Sequence, residues 1–380
     1  MDKQFDLRKH IEETVEEIVA DIIKATLKNP KEGAFMARFL LASRRASKIR
    51  ERYEAEGLHV PGFLIASITS SCNLHCAGCY SRCNEATVDS EPVQQLAKAE
   101  WTKIFKEAED LGISFIMLAG GEPLLRRDVI EAASTFKNII FPVFTNGTYI
   151  DDDYFKLFDD SRNLLPVLSI EGDRETTDGR RGEGIYELIE GNMEHFRDKG
   201  MIFGASITVT TENYREVTSP EFIESLMAKG CKLIIYVEFV PVTDEAQYLA
   251  PGDPERIYVA DAMDRMRERT TDIVLLSFPG DELSAGGCMA AGRGFFHINS
   301  HGGAEPCPFS PFSDTNVMDM GLKGAISSRL FEVLQSGDIL KDDHVGGCVL
   351  FEKKDQVEAI LQEAYCGTIS LISEGLNEFQ

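Results

Sequence analysis

Phe63-Leu-Ile-Ala-Ser-Ile-Thr-Ser70 runs directly into Ser71-Cys72-Asn-Leu-His-Cys76-Ala-Gly-Cys79-Tyr80. The first stretch reads as a short buried strand, bounded by the polar loop that follows. That loop carries three cysteines at Cys-x3-Cys-x2-Cys spacing. Three thiolates this close can ligate three irons of a cubane and leave the fourth iron open. Cys83 keeps two alternatives alive: a structural zinc site, and a ferredoxin-like cluster closed by four thiolates.

Downstream, short apolar runs alternate with helical stretches, the pattern of repeated βα units on a parallel sheet. Strands are predicted at 63–70, 114–119, 140–145, 165–171, 203–210 and 232–240. The intervening helices fall at 92–111, 126–137, 151–160, 184–199, 219–229 and 253–269. Six units suit a partial (β/α)6 barrel of the TIM type, whose polar groups gather at the strand C-termini. Upstream, apolar spacing predicts amphipathic helices over 6–27 and 32–56. After Thr270 a further strand at 273–278 leads into glycine- and proline-rich loops, with a closing helix near 352–365. The expected organisation is an N-terminal helical extension (1–60), an α/β barrel core (61–270) and a C-terminal extension (271–380).

The predicted strand ends carry the polar groups. The second ends in Gly120-Gly121-Glu122-Pro123, where glycines let the backbone approach a ligand and Glu122 offers a carboxylate. The third leads to Thr145-Asn146-Gly147, and the fourth ends Ser169-Ile-Glu171-Gly172. Ser169 and Glu171, two residues apart on a strand, face the same side. Either alone is as readily a turn former or a solvated strand-end group. Arg181 stands in Arg180-Arg181-Gly182-Glu-Gly184-Ile-Tyr186, where the simpler reading is a solvated arginine at a helix start. The sixth strand closes on Tyr236-Val-Glu238-Phe-Val240-Pro241, and alternation leaves open whether Tyr236 or Glu238 faces a substrate.

This order of motifs over 63–241 resembles the radical S-adenosylmethionine (SAM) superfamily. The resemblance implies a [4Fe-4S] cluster on Cys72, Cys76 and Cys79, with SAM chelating the open iron through its amino and carboxylate groups. It further implies that Gly120, Gly121, Glu122 and Pro123 form the turn that receives the methionine ammonium, and that Arg181 meets the methionine carboxylate. Asn146, Ser169, Glu171 and Val240 would complete the nucleotide site, Ser169 and Glu171 at the ribose and Val240 near adenine. One departure stands out: the residue before the third cysteine is usually aromatic in such enzymes, and here it is Gly78.

The implied reaction is reductive cleavage of SAM to a 5′-deoxyadenosyl radical that abstracts hydrogen from an unidentified small-molecule or lipid substrate. A flavodoxin- or ferredoxin-type protein would donate the electron. Two alternatives remain: a maturase that modifies a peptide or protein, and a non-catalytic iron-sulfur electron-transfer or metal-binding protein. The N-terminal extension lacks the strand pattern of a winged-helix leader-binding domain, which disfavours the first alternative. The Gly-Gly-Glu-Pro and Ser-x-Glu motifs, which an electron carrier does not need, disfavour the second.

Cys288, Cys307 and Cys348 lie in the late loops, the first two spaced Cys-x13-Gly-x4-Cys around Gly302. This resembles a twitch or reduced SPASM extension and implies a second [4Fe-4S] cluster, with zinc as the alternative. Its fourth position falls either to Cys366 or to an open iron. Cys231 and Cys366 otherwise read as isolated structural residues, and His297 and His301 as acid/base groups or ordinary loop residues.

A formal net charge of -24 and a pI near 4.7 argue against nonspecific nucleic-acid binding. Against that background, residues 31–53 carry seven basic and two acidic side chains, a local balance of 7 − 2 = +5. Peripheral contact with an anionic membrane is one reading of that helix, and packing on the protein's own acidic barrel is the simpler one. No apolar run reaches the roughly 20 residues needed to span a bilayer. Nine cysteines clustered this unevenly point to metal chemistry in a reducing cytoplasm.

Overall fold

The computed structural model describes residues 30–89, 94–282, 286–341 and 347–363. The helix expected over 6–27 and Cys366 lie outside the described residues. Among the described residues nine strands form one sheet: β1 (Phe63–Thr69), β2 (Phe115–Gly120), β3 (Phe141–Thr145), β4 (Leu164–Ser169), β5 (Gly204–Val209), β6 (Leu233–Glu238), β7 (Val274–Phe278), β8 (Phe295–Ile298) and β9 (Ala304–Glu305). Their spatial order is β7-β6-β5-β4-β3-β2-β1-β8-β9. Every neighbouring pair from β7 to β8 runs parallel, and only β8 and β9 are antiparallel. This is the curled, partial TIM-type barrel expected from the alternation of runs.

The strands form where buried β-branched and aromatic residues recur. In β1, Leu64, Ala66 and Ile68 are fully buried on one face, so Ile65, Ser67 and Thr69 share the other. The predicted helices follow as Lys98–Leu111, Arg127–Ser134, Asp152–Asp160, Ile185–Asp198, Pro220–Ala228 and Asp253–Arg269. Trp101 and Phe105 of the first lie fully buried in the core, with Phe105 edge-on to Phe141 of β3 at 5.2 Å.

Two features were not legible in the alternation. Strands β8 and β9 come from the C-terminal region yet extend the sheet beyond β1, with Ile65 opposite His297. Strand β7, expected at the margin of the core, pairs fully with β6, so the sheet continues across position 270. The two ends of the sheet approach through aromatic rings: Phe278 of β7 packs edge-on against Phe295 of β8 at 5.4 Å, and Phe63 of β1 meets Phe295 at 5.9 Å.

Helix α1 (Pro30–Ala55) packs across the N-terminal ends of the strands, burying Met36 and Phe39, the latter edge-on to Phe115 at 5.3 Å. Its charges are also engaged: Glu32 pairs with Arg162, Lys31 with Asp159 at 2.7 Å, and Arg50 donates to the Gly112 carbonyl at 2.5 Å. Two of the seven basic side chains of residues 31–53, Lys31 and Arg50, are thus engaged within the protein. Among the described residues no helix is long and apolar enough to cross a membrane.

Candidate active site

The cysteine loop leaves the C-terminal end of β1 and is clamped from several sides. A Cβ placed on Gly120 would lie 2.3 Å from the Thr69 carbonyl oxygen, and one on Gly121 would lie 2.1 Å from that of Ser71. Only glycine permits this approach, which brings the Gly121 and Glu122 amides to donate at 2.8 Å to Thr69 and Ser71. The glycines therefore seat the turn against the base of the cysteine loop. Arg82 wraps the loop from outside, donating to the carbonyls of Leu74 at 3.0 Å and Cys72 at 3.2 Å. Asn146 reaches across from β3 and donates to Asn73 at 3.0 Å.

Glu122 is almost fully buried and does not present its carboxylate to an open site. It accepts from the Leu124 amide at 3.0 Å, the Thr145 hydroxyl at 2.7 Å and the Asn146 amide at 2.8 Å. Burial pushes this carboxyl up, while those donors pull it back down. Its role is to lock the β2 and β3 ends together; Pro123, at the start of the following turn, is buried with it.

Glu171 is likewise sealed, at 0 % exposure, where sequence reading set it beside a ligand. Its carboxylate accepts from Arg180 at 2.6 Å, from two nitrogens of Arg181 at 2.7 and 2.5 Å, and from the Thr208 amide at 3.0 Å. The Arg180 backbone carbonyl also accepts from the Ala77 amide of the cysteine loop at 2.9 Å. Burial acts to lower the Arg181 pKa, but Glu171, Cys76 and their neighbours raise it overall. Arg181 thus stands between Glu171 and the first cysteine group. Ser169, on the same strand, is partly exposed, and its hydroxyl has no hydrogen-bond partner among the described residues.

The β6 end resolves the two substrate candidates against both. Tyr236 is fully buried and donates to the Val217 carbonyl at 2.8 Å, while Glu238 pairs with Arg256 at 2.8 Å. The missing aromatic of the cysteine motif is supplied from here. Gly78 adopts φ +65°, and a Cβ on it would lie 2.6 Å from the Phe239 ring. Phe239 occupies the space beside the third cysteine that a side chain at 78 would otherwise fill, with Val240 buried next to it.

The three cysteines of the second group lie within electrostatic reach of one another. Cys288 and Cys307 are buried and Cys348 is partly so, and each thiol is pushed up by burial first and by its charged neighbours after, Cys348 to about 12. Between the two groups stands Tyr80, edge-on to Phe309 at 4.6 Å and close enough to feel the charges of Cys79, Cys307 and Glu305. Among the described residues no three Cys, His, Asp or Glu side chains converge as a single metal ion requires. A cubane takes one protein donor on each of its irons and so spreads its donors around a larger body. The two thiol groups fit that arrangement better than a mononuclear zinc site.

Beside Tyr80 opens a cavity of about 490 Å³ lined by Ser67, Thr69, Gly120, His297 and Glu305 among others. A chain of hydrogen bonds forms part of its wall: Ser67 Oγ to His297 Nε2 at 2.7 Å, and His297 Nδ1 to Glu305 Oε2 at 2.7 Å. Asn299 donates to the other Glu305 oxygen at 2.6 Å. Sequence reading left His297 undecided, because its partners come from β1 and β9 and only the β1–β8 pairing brings them together.

Residues 66–219 match the profile of the radical SAM superfamily. These residues form a radical SAM domain. Among characterised relatives, the AdoMet-dependent heme synthase of Methanosarcina barkeri is 25% identical over 346 residues, covering 83% of this chain and 95% of that protein. The sporulation killing factor maturation protein SkfB of Bacillus subtilis is 26% identical over 174 residues, 42% of this chain and 41% of that one. In solved structures, SuiB of Streptococcus suis bound to S-adenosylmethionine superposes with a TM-score of 0.59 at 18% identity, over 79% of this chain and 71% of that one. AnSMEcpe with bound AdoMet and a peptide superposes with a TM-score of 0.55 at 17% identity, over 83% and 99%. The chain is accordingly an enzyme with a radical SAM domain, and a [4Fe-4S] cluster and SAM are its implied cofactors.

Proposed function

We propose that this radical SAM enzyme acts on a small organic molecule seated in the cavity beside Tyr80, with Ser67, His297 and Glu305 handling a proton of that substrate. The cavity and its hydrogen-bond chain carry this reading. The small-molecule class is favoured over peptide modification by the extent of similarity. The heme synthase aligns along most of both chains, whereas the SkfB match spans less than half of each.

In this reading Cys72, Cys76 and Cys79 hold the catalytic cluster, while Cys288, Cys307 and Cys348 of a twitch-like extension hold a second one. When bound, cluster and SAM supply the electron transfer and hydrogen abstraction. The chain's own residues position and exclude. Gly120 and Gly121 bring backbone up to the cysteine loop. Ser169 offers a free hydroxyl to the nucleoside, and Arg181, held by Glu171, presents positive charge beside Cys76 and Cys79. Asn146 and Phe239, with Val240, fix the loop from the opposite side. An ionised Glu305 can only accept, so a neutral His297 donates from Nδ1 and keeps Nε2 as the acceptor facing Ser67 and the cavity. That tautomer is set to take a proton from a substrate hydroxyl or carboxyl. The electron donor is a flavodoxin or ferredoxin, and the site of action the cytoplasm.

The test is anaerobic turnover of reconstituted protein with dithionite and deuterated candidate small molecules. Deuterium should appear in 5′-deoxyadenosine with a cognate substrate. In His297→Gln that transfer should persist while product formation falls by about 10²-fold or more, the usual weight of a general base. Full product yield from His297→Gln removes the relay from the mechanism, and deuterium transfer only from peptides overturns the small-molecule class.

A further inference from the structure

We infer that Glu282 is the fourth protein ligand of the second cluster, completing a set of three thiolates and one carboxylate with Cys288, Cys307 and Cys348. This rests on the reading that those cysteines hold a cluster. Glu282 follows β7 in the short turn Gly280–Glu282 and is 1 % exposed. Its carboxylate is not turned outward to solvent or fully absorbed by backbone. One oxygen accepts from the Met289 amide at 3.1 Å, and the carboxylate takes a hydrogen bond from the Cys288 thiol. Its charge is felt at Cys307 and Cys348 as well as at Cys288, so the carboxylate lies within electrostatic reach of all three sulfurs.

The loop is built to hold that arrangement. The Gly287 amide donates back to the Glu282 carbonyl at 3.1 Å, which folds residue 282 against 288. Gly287 itself sits at φ +101°, where a Cβ would strike the Leu340 carbonyl oxygen at 2.3 Å. Arg293 then staples the turn, donating to the carbonyls of Cys288 at 2.5 Å, Leu340 at 2.9 Å and Gly286 at 3.1 Å. Arg293 is also the cation nearest in effect to the Glu282 carboxylate, yet its hydrogen bonds go to backbone. A buried carboxylate whose side-chain partner is a thiol proton has that proton to lose on cluster loading. Cys288 gives up that one shared proton, and thiolate and carboxylate are then anionic donors to two different irons.

A carboxylate is a harder and less tightly held donor to iron than thiolate, so the fourth iron is capped but chemically distinct. The experiment uses the full-length Cys72/Cys76/Cys79 triple-alanine variant, in which only the second cluster forms. With Glu282 intact, this cluster should keep about four irons on mild oxidation, and added cyanide should leave its reduced EPR signal unchanged. Adding Glu282→Ala should free one iron: oxidation then yields a three-iron EPR signal, and cyanide shifts the reduced spectrum. Glu282→Cys should restore resistance to both treatments. Cyanide binding in the Glu282-intact protein overturns the proposal in favour of an open iron, without needing any Glu282 variant to fold. Identical spectra with and without Glu282, together with loss of the four-iron cluster on Cys366→Ala, overturn it in favour of Cys366. Absence of iron from the triple variant itself instead refutes the second cluster on which the proposal rests.

Discussion

The first cysteine group is carried on one continuous loop with its three thiols partly exposed, whereas the second is assembled from three separate loops with Cys288 and Cys307 buried. The same thiol chemistry is thus set in two environments. Cys72, Cys76 and Cys79 are partly exposed, and Arg181 beside them feels the charge of Cys76 and Cys79. Cys288, Cys307 and Cys348 are closed in by the C-terminal region, with burial holding Cys348 up at about 12. An open site can bind and release a consumed molecule; a closed one suits a permanent group.

The largest expected effect breaks the open site. Replacing Cys72, Cys76 or Cys79 by alanine should abolish SAM cleavage, read as 5′-deoxyadenosine formed under dithionite, because three thiolates are the minimum that holds the cubane. Residual cleavage above background in all three variants would remove this loop from the chemistry. At the closed site, Cys307→Ala should lower the iron content from about eight to about four per chain. It should leave substrate-free SAM cleavage in place. An unchanged iron count after that substitution would reduce the contrast between the sites to a contrast between a cluster and a set of buried thiols.

Next comes the ion-pair network that borders the open site. Glu171→Gln leaves Arg180 and Arg181, both largely shielded from water, without their counter-charge, a loss of up to about 3–5 kcal/mol for a broken buried pair. Thermal stability should fall, and SAM affinity, measured by calorimetry on the iron-loaded protein, should fall with it as Arg181 loses its tether. Ser169→Ala, which removes a hydroxyl with no protein partner among the described residues, should weaken SAM without that loss of stability. Equal SAM affinity in both variants would take the β4 end out of the nucleotide site.

Much of this contrast was readable in the chain and some was not. The barrel followed from local periodicity, since each βα unit satisfies its own apolar pattern, and the cysteine loop from contiguous spacing. The engagement of Glu122 and Glu171 was hidden because a carboxylate at a strand end looks the same in sequence whether it faces a ligand or two arginines. The Ser67–His297–Glu305 chain and the position of Glu282 depend on pairings between residues far apart in sequence. Strand β8 brings His297 to Ser67 only by joining β1 at the edge of the sheet. The aromatic displaced from position 78 to Phe239 was invisible for the same reason.

That displacement predicts a smaller effect. Gly78→Ala forces a Cβ to within 2.6 Å of the Phe239 ring on a backbone at φ +65°. Overpacking of this kind costs about 1–3 kcal/mol. Combining it with Phe239→Leu should recover part of the loss if steric crowding causes it, measured as the denaturation midpoint. No recovery assigns the loss to backbone strain alone.

The smallest expected effect lies at Cys83, which sequence spacing left as a candidate fourth thiolate. It ends the short helix Tyr80–Cys83, whose first turn begins at Cys79, and its side chain is exposed. Of the loop cysteines only Cys79 raises its pKa, after desolvation, whereas Cys72 feels both Cys76 and Cys79. The Cys83 amide is committed to the Cys79 carbonyl at 3.0 Å, so the helical turn fixes where its side chain leaves the backbone. To ligate the same cubane, that turn must unwind. Exposed substitutions of this kind usually stay within about 0.5 kcal/mol. Cys83→Ala should therefore retain the iron content, SAM cleavage and stability of the parent. If cleavage is lost while iron is retained, Cys83 acts on the open site; if iron is lost as well, the loop holds a four-thiolate cluster and the distinction between an open and a closed site fails at its first member.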